Sequence, residues 1–290
     1  MLTIFTIPKP FLGRLETIQR NALKSWCLLK GGCEIVLFGD DEGVSEAAAD
    51  FGVLNIPGIN RNSTGTPFLD SVFTKVEGLA RNSILAYINA DIILMDDFLS
   101  AIKDVSKTMR EFLLVGHRWD LKIDGAIDFS QGWQEQLRLK ARHSGSLHSH
   151  AGIDYFVFPR GLVQNFPPFL VGRPGWDSWF IYHIRSKGIP VVDITKLSMV
   201  VHHNHDYSHH AQGRYGVWQG EEARYNLELA GGYHNLYTLK DATHILTKKG
   251  LLLNKSLYRF YRRLVAKSVT SPFYMLLYKL WRRFSDLVRA

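Results

Sequence analysis

The first 98 residues alternate short apolar runs with amphipathic stretches, and that order constrains the fold more than any other feature of the chain. Leu2–Ile7 reads as a strand. Leu12–Leu29 reads as a helix, with Leu15, Ile18, Ala22 and Leu29 facing inward, and Gly31-Gly32 ends it. Glu34–Phe38 is a second strand, Val44–Phe51 a short helix, Val53–Ile56 a third strand and Leu69–Asn82 a helix. The apolar run Ile84–Ile88 is a fourth, buried strand. A βαβαβαβ order predicts an α/β fold with a mainly parallel sheet and helices on both faces. Ligands of such sheets bind beyond the carboxyl ends of the strands. Three segments fall at that rim: Ile7-Pro8, Gly39-Asp40-Asp41 and Asn89-Ala90-Asp91.

Beyond residue 98 the alternation loosens. Phe98–Met109 reads as a helix, Leu113–Val115 as a strand, and Trp119–Leu147 as irregular apart from a helix over Trp133–Arg142. Residues 143–152 read as a flexible loop, with His143, His148 and His150 in a mobile lid or simply exposed. Tyr155–Phe158, Val191–Ile194 and Met199–Val201 read as strands and Asp177–Lys187 as a helix. No Walker-type loop is present, and no G-x-G-x-x-G follows the first strand, which lowers the case for P-loop and nicotinamide chemistry. Cys27 and Cys33 make neither a disulfide framework nor a zinc spacing, and they fit a reducing cytoplasm. The N-terminus lacks the basic flank of a signal peptide. No apolar run reaches the ~18 residues of a membrane span.

Charge divides the chain. Residues 248–290 hold eleven Lys or Arg and one acid, Asp286, so this stretch carries +10 of a net +8 and residues 1–247 are left at about −2. A near-neutral body excludes a body-wide nucleic-acid surface. Within the tail, Leu276, Leu277, Leu280, Trp281, Phe284, Leu287 and Val288 share one helical stripe, flanked by Lys279, Arg282, Arg283 and Arg289. Basic amphipathic helices of this kind suit an anionic membrane surface, and docking on the body or on a second subunit is the alternative. The expected organisation is a catalytic domain over 1–247, with halves at 1–98 and 99–247, and a basic helical tail over 248–290. The expected location is cytoplasmic, peripheral on the inner face of the membrane.

Three constellations carry chemistry. Asp91 ends a buried run, where a carboxylate is costly without a partner; a divalent cation holding a diphosphate would supply one, and capping the following helix is the plain alternative. In Gly172-Arg173-Pro174-Gly175-Trp176-Asp177-Ser178-Trp179 a turn opens a helix with Asp177 as a candidate N-cap. Trp176 and Trp179 would lie in the core on one reading. On the other they stack on sugar faces while Asp177 takes an acceptor proton. Asp154, before the strand Tyr155–Phe158, is the second candidate carboxylate. Five of twelve histidines fall in His202–His210. His202 and His205 are the candidates for metal, and alternation along an extended segment does not choose between them.

Asn89-Ala90-Asp91 resembles the D-x-D motif of nucleotide-sugar glycosyltransferases of the GT-A fold, with Asn in the first place. The resemblance covers residues 1–210. Thr6-Ile7-Pro8, Gly39-Asp40-Asp41 and Ala80-Arg81-Asn82 echo that family's nucleotide-contacting segments. The block from Thr66-Pro67-Phe68-Leu69-Asp70 through Asp96-Asp97-Phe98 is similar to bacterial and viral glycan-building members. The resemblance implies that Asp91 binds Mn²⁺ or Mg²⁺ bridging the donor's phosphates, with a histidine from the 202–205 region as a further ligand. It implies that Asp40 or Asp41 contacts the nucleoside and that Thr6, Pro8, Arg81 and Asn89 line the same pocket. The implied activity is hexosyl or deoxyhexosyl transfer from a nucleoside-diphosphate donor, UDP first by frequency in the family. The acceptor would be a hydroxyl of a glycan or lipid-linked glycan, in polysaccharide biosynthesis. Asp177 would be the base if the anomeric centre inverts. Two rivals are a sugar nucleotidyltransferase, for which Thr6–Leu15 offers only Lys9, Gly13 and Arg14 to grip a triphosphate, and a membrane-associated scaffold with a degenerate site.

Overall fold

The computed structural model of the chain describes residues 2–205, 213–259, 261–262, 276–277 and 280. In chain order the first half contains β1 (Leu2–Thr6), α1 (Gly13–Cys27), β2 (Cys33–Phe38), α2 (Val44–Phe51), β3 (Leu54–Ile56), α3 (Leu69–Leu79), β4 (Ile84–Ile88), β5 (Ile92–Ile93) and α4 (Asp96–Ser106). There follow β6 (Leu113–Val115), β7 (Arg118–Leu121), α5 (Trp133–Ser144), β8 (Ser146–Leu147), β9 (Tyr155–Pro159), α6 (Trp176–Ser186), β10 (Val191–Asp193) and β11 (Val200–His203). The last elements are α7 (Gly213–Gln219), α8 (Glu221–Leu229), β12 (His244–Thr247) and β13 (Gly250–Leu253).

Nine strands form one sheet in the order β13-β12-β10-β6-β9-β4-β1-β2-β3. Its pairings are parallel except where β9 runs against β4 and β6 and where β12 and β13 form a hairpin. The α/β class and the mainly parallel sheet are therefore as the sequence implied. The central strands are apolar on both faces because both faces are covered. In β4, Ala86 and Ile88 face α1, α2 and α4, where Trp26, Val44 and Phe98 pack. Leu85 and Tyr87 face α3 and α6, among Phe73, Val76 and Phe180.

A second sheet, β5-β11-β7-β8, lies beyond the carboxyl end of β4. It covers a third core, in which Ile93, Leu121 and Val201 pack against Trp133, Leu137 and Ala141 of α5. Trp26 ties this sheet to the main one: its indole N–H donates to the Ile92 carbonyl at 2.8 Å. The irregular reading of Trp119–Leu147 missed this sheet, whose strands are only two to four residues long.

Two boundaries move. The α3 helix stops at Leu79 because Ala80 turns extended and Asn82 gives its amide to Leu2 and Thr3 of β1. The tail placed from residue 248 instead begins with β13, the edge strand of the main sheet. The amphipathic stripe over 276–288 lies almost wholly outside the described residues. Among the described residues no helix is long and apolar enough to cross a membrane.

Candidate functional site

Strand register assembles the site. In the second sheet β11 runs between β5 and β7, with His202 opposite Ile92 on one side and Asp120 on the other. The backbone N–H of His203 donates to the Asp91 carbonyl at 3.0 Å, which seats the 89–91 segment on β11. Asp91, His202 and His205 thereby offer one ligand atom each, all within 4.8 Å of one another. Oδ2 of Asp91 lies 3.0 Å from His205 Nε2 and 3.6 Å from His202 Nε2. Both histidine candidates meet the aspartate. His203 points away, with Nε2 2.9 Å from the Ile123 carbonyl, and burial pushes its imidazole down to about 4.

The donor set fits a divalent cation. Oδ1 of Asp91 is buried and has no hydrogen-bond partner among the described residues, a costly state for a carboxylate oxygen. One carboxylate with two imidazoles suits Mn²⁺ better than Mg²⁺, which prefers an all-oxygen shell. Burial works to raise the Asp91 carboxyl, but the charge and hydrogen bonds of His202, the hydrogen bond of His205 and the charge of Lys9 hold it well below the usual carboxylate range. Burial works to lower His202, and Asp91 and Asp120 overcome it, lifting the imidazole to about 9.

A polar network surrounds the three ligands. Asp120 Oδ1 lies 3.3 Å from His202 Nδ1, and its Oδ2 lies 2.6 Å from His148 Nδ1. Arg118, two residues earlier on the same face of β7, donates from Nε to Asp120 at 2.9 Å and from Nη1 to Asp154 at 2.5 Å. Asn89 donates to the other oxygen of Asp154 at 2.8 Å. Asp154 is thus clamped on both oxygens and 7% exposed. Arg118 and Asn89 fix the orientation of this candidate catalytic carboxylate, an arrangement that suits a positioning role. His148 is not a lid residue but a partner of Asp120.

Asp177 differs. It sits in the first turn of α6, where its carboxylate lies 3.5 Å from the Ile153 backbone nitrogen. Burial raises its pKa, backbone N–H groups of Ser178, Ile153 and Gly175 work against that rise, and the nearby charge of Asp154 adds to it. The two tryptophans beside it are core residues. Trp176 is 5% exposed and packs edge-on against Tyr87, and Trp179 is 8% exposed between Phe166, Phe169 and His183. Neither offers a free ring face to a sugar, which corrects the acceptor-stacking expectation.

The nucleotide-side candidates divide between two ends of the sheet. Thr6 and Pro8 stand at the carboxyl end of β1, and the buried Thr6 hydroxyl has no partner among the described residues. Asp40 and Asp41 follow β2, and Arg61 holds both, at 3.2 and 2.7 Å. Arg81 precedes β4, so it lies at the opposite end of that strand from Asn89, and the strand's five residues alone span roughly 16 Å at ~3.3 Å per residue. It is exposed and pairs with Glu34 at 3.5 Å. It borders a separate surface hollow with Gly31, Gly52 and Leu54, which corrects its place in the nucleotide pocket.

Sequence reasoning gave no site role to Lys9 and Arg173. The backbone of Lys9 is gripped by buried Gln19, which accepts from its N–H at 2.7 Å and donates to its carbonyl at 2.8 Å. Burial lowers the Lys9 ammonium, the Asp91 charge opposes that, and Arg173 adds to it; no ion pair among the described residues neutralises it. Arg173 is fixed by Glu222 at 2.6 Å, and Glu222 also accepts from Asn62, Thr64 and Thr66. The signal for Lys9 was its position, one residue past Pro8 at the strand rim.

No protein-family model matches the chain, and no curated protein matches it. Among solved structures it is similar to TarS 1–349 of S. aureus in complex with UDP-GlcNAc, at 12% identity and TM-score 0.33, over 44% of this chain and 37% of that one. It is similar to glucosyl-3-phosphoglycerate synthase of Mycobacterium tuberculosis in complex with Mn²⁺, UDP and phosphoglyceric acid, at 12% identity and TM-score 0.48, over 80% and 79% of the two chains. It is also similar to the mannosyltransferase PcManGT of Pyrobaculum calidifontis in complex with GDP-Man and Mn²⁺, at 13% identity and TM-score 0.44, over 73% and 59%. The match thus spans well under half of the TarS chain.

Proposed function

We propose that the chain is a metal-assisted glycosyltransferase of the GT-A type, moving a sugar from a nucleoside-diphosphate donor to a hydroxyl of a glycan or lipid-linked glycan. The observation that carries this reading is the Asp91–His202–His205 cluster at the carboxyl rim of a mainly parallel sheet, where the second, buried oxygen of Asp91 has no hydrogen-bond partner among the described residues. Asp91, His202 and His205 would hold Mn²⁺ or Mg²⁺, and the bound ion supplies positive charge to the departing diphosphate. Lys9 and Arg173 bring fixed cations to the same place. Thr6 and Pro8 line the nucleotide side, and Asp40 or Asp41 reaches the nucleoside from the β2 loop. Asp177, with its raised pKa, is the base that takes the acceptor proton.

A thermal-shift panel of UDP-, GDP-, dTDP- and CMP-sugars, with and without Mn²⁺, tests this. A ligand held only by the native state at a hundred times its Kd adds about 2.7 kcal/mol, a shift of several degrees. The expected result is one base that shifts the transition with Mn²⁺ and much less without it. No shift with any donor contradicts the reading. Lys9→Met keeps the apolar stem and removes the charge. It is expected to weaken donor binding about tenfold, the scale of one charge-assisted hydrogen bond, as measured by calorimetry; an unchanged Kd removes Lys9 from the diphosphate site.

The basic tail is the proposed membrane contact. Its first turn belongs to the body: Arg262 pairs with buried Asp241 at 3.1 Å and covers the Tyr237 ring at 4.3 Å. A chain ending at Arg263 keeps that anchor and β13 while removing the amphipathic stripe and five further cations. It is expected to stop sedimenting with anionic vesicles, at about 1 kcal/mol lost per basic residue plus the apolar insertion, and to keep its melting temperature. Undiminished sedimentation contradicts membrane docking by the tail.

A further inference from the structure

We infer that Asn89 is a positioning residue for the metal ligands. It acts through Asp154 and not by coordination, and the carboxylate that the D-x-D pattern places at 89 is supplied here by Asp154. The inference rests on the metal-site reading above and deepens it. Register is the first ground. β4 and β9 are antiparallel with Ile88 opposite Tyr155, so Asn89 and Asp154 face each other one step beyond the strands. Their backbones confirm the pairing, since the Asn89 N–H donates to the Asp154 carbonyl at 2.9 Å. The side chains then meet, and the 2.8 Å contact has only one chemical sense, because an ionised carboxylate accepts and the amide must donate.

The second ground is where that bond leads. Asp154 passes to Arg118, Arg118 to Asp120, and Asp120 to His202 Nδ1 at 3.3 Å, a nitrogen that also meets Asn204 Oδ1 at 3.0 Å; His202 Nε2 faces Asp91. The chain of contacts leaves residue 89 and returns to residue 91. Its last links have the form in which a carboxylate fixes a ligating imidazole through its second nitrogen, and loss of such outer partners costs 10–100-fold in metal affinity. An aspartate at 89 would set a second carboxylate directly against Asp154, with like charges facing across an antiparallel pair. Arg118, which already serves Asp120 and Asp154, would then face a third acid, and its hold on Asp120 would weaken, leaving His148 as the other partner of that carboxylate. The departure from the D-x-D pattern thus compensates for an acid at position 154, and it is not a sign of a decayed site.

The test is a charge exchange in the full chain: Asn89→Asp, Asp154→Asn and the double variant. Mn²⁺ is titrated calorimetrically without donor, and the melting temperature is measured without metal. Asn89→Asp is expected to weaken Mn²⁺ binding at least tenfold and to lower the metal-free melting temperature, although it recreates D-x-D. The double variant restores one acid and one amide across the pair, and is expected to recover both quantities to within about threefold in Kd. If Asn89→Asp binds Mn²⁺ as well as or better than the natural chain, Asn89 occupies a ligand position and the inference is overturned. If the double variant recovers neither quantity, the coupling through Asp154 is overturned. Absence of Mn²⁺ binding in the natural chain would overturn the metal-site reading itself. The metal-free melting temperatures still decide the Asn89–Asp154 coupling in that case.

Discussion

Asp91→Ala is expected to fold and to lose transfer by on the order of 10³-fold, the loss that follows from withdrawing several kcal/mol of charge stabilisation from a departing diphosphate. The fold survives because the carboxylate brings little to it: one of its oxygens has no partner among the described residues, and the segment is held by backbone bonds to β11. His202 does not strand a buried charge in the variant. Its imidazole is lifted to about 9 partly by Asp91, and without that acid it sheds its proton more readily. The same elevation gives a pH signature in the natural chain. A cation must displace the His202 proton, so apparent Mn²⁺ affinity is expected to rise about tenfold per pH unit from pH 7 toward pH 9 and then level. Calorimetry in buffers of different ionisation enthalpy should show the proton released. A flat pH profile over that range would separate His202 from the metal.

Asp177→Asn is the second large effect. Turnover is expected to fall roughly 10²-fold or more while the donor Kd stays within a factor of two or three, as for a group that acts on the acceptor proton in the transition state. The substitution is conservative for structure, because the amide keeps a carbonyl oxygen for the backbone donors of Ile153, Ser178 and Gly175. It removes the basicity that burial confers. A change confined to acceptor KM would make Asp177 a binding group.

The sheet was legible because its strands are apolar on both faces and separated by helices, a pattern local to each segment. Asp91 was legible for a related reason: a carboxylate ending a buried run is locally anomalous. The rest of the site is made by pairings between distant segments. His202 meets Asp120 across parallel strands, and Asn89 meets Asp154 across antiparallel ones. Neither pairing has a local signature. The second sheet was missed because β5 and β8 have two residues each, too few to show a period, and β7 has only four, too few for the alternation of Arg118 and Asp120 with Trp119 and Leu121 to stand out. Arg81 misled because it stands only eight positions before Asn89 in sequence, yet β4 runs between them and carries the motif to the other end of the sheet. Trp176 and Trp179 misled because a turn followed by aromatics says nothing about which way the rings face. Lys9 went unvalued because its environment is set by Gln19 and Asp91, one on a helix and the other past a different strand.

The central claim is that Asp91, His202 and His205 make a cation site that serves a nucleoside diphosphate. The direct measurement is calorimetric titration of the best nucleotide from the donor panel into the natural chain and Asp91→Ala, each with and without Mn²⁺. The account predicts tight binding only for the natural chain with Mn²⁺, with affinity falling at least tenfold when either the metal or the Asp91 carboxylate is removed. Nucleotide binding that is indifferent to both, or absent under every condition, would contradict it.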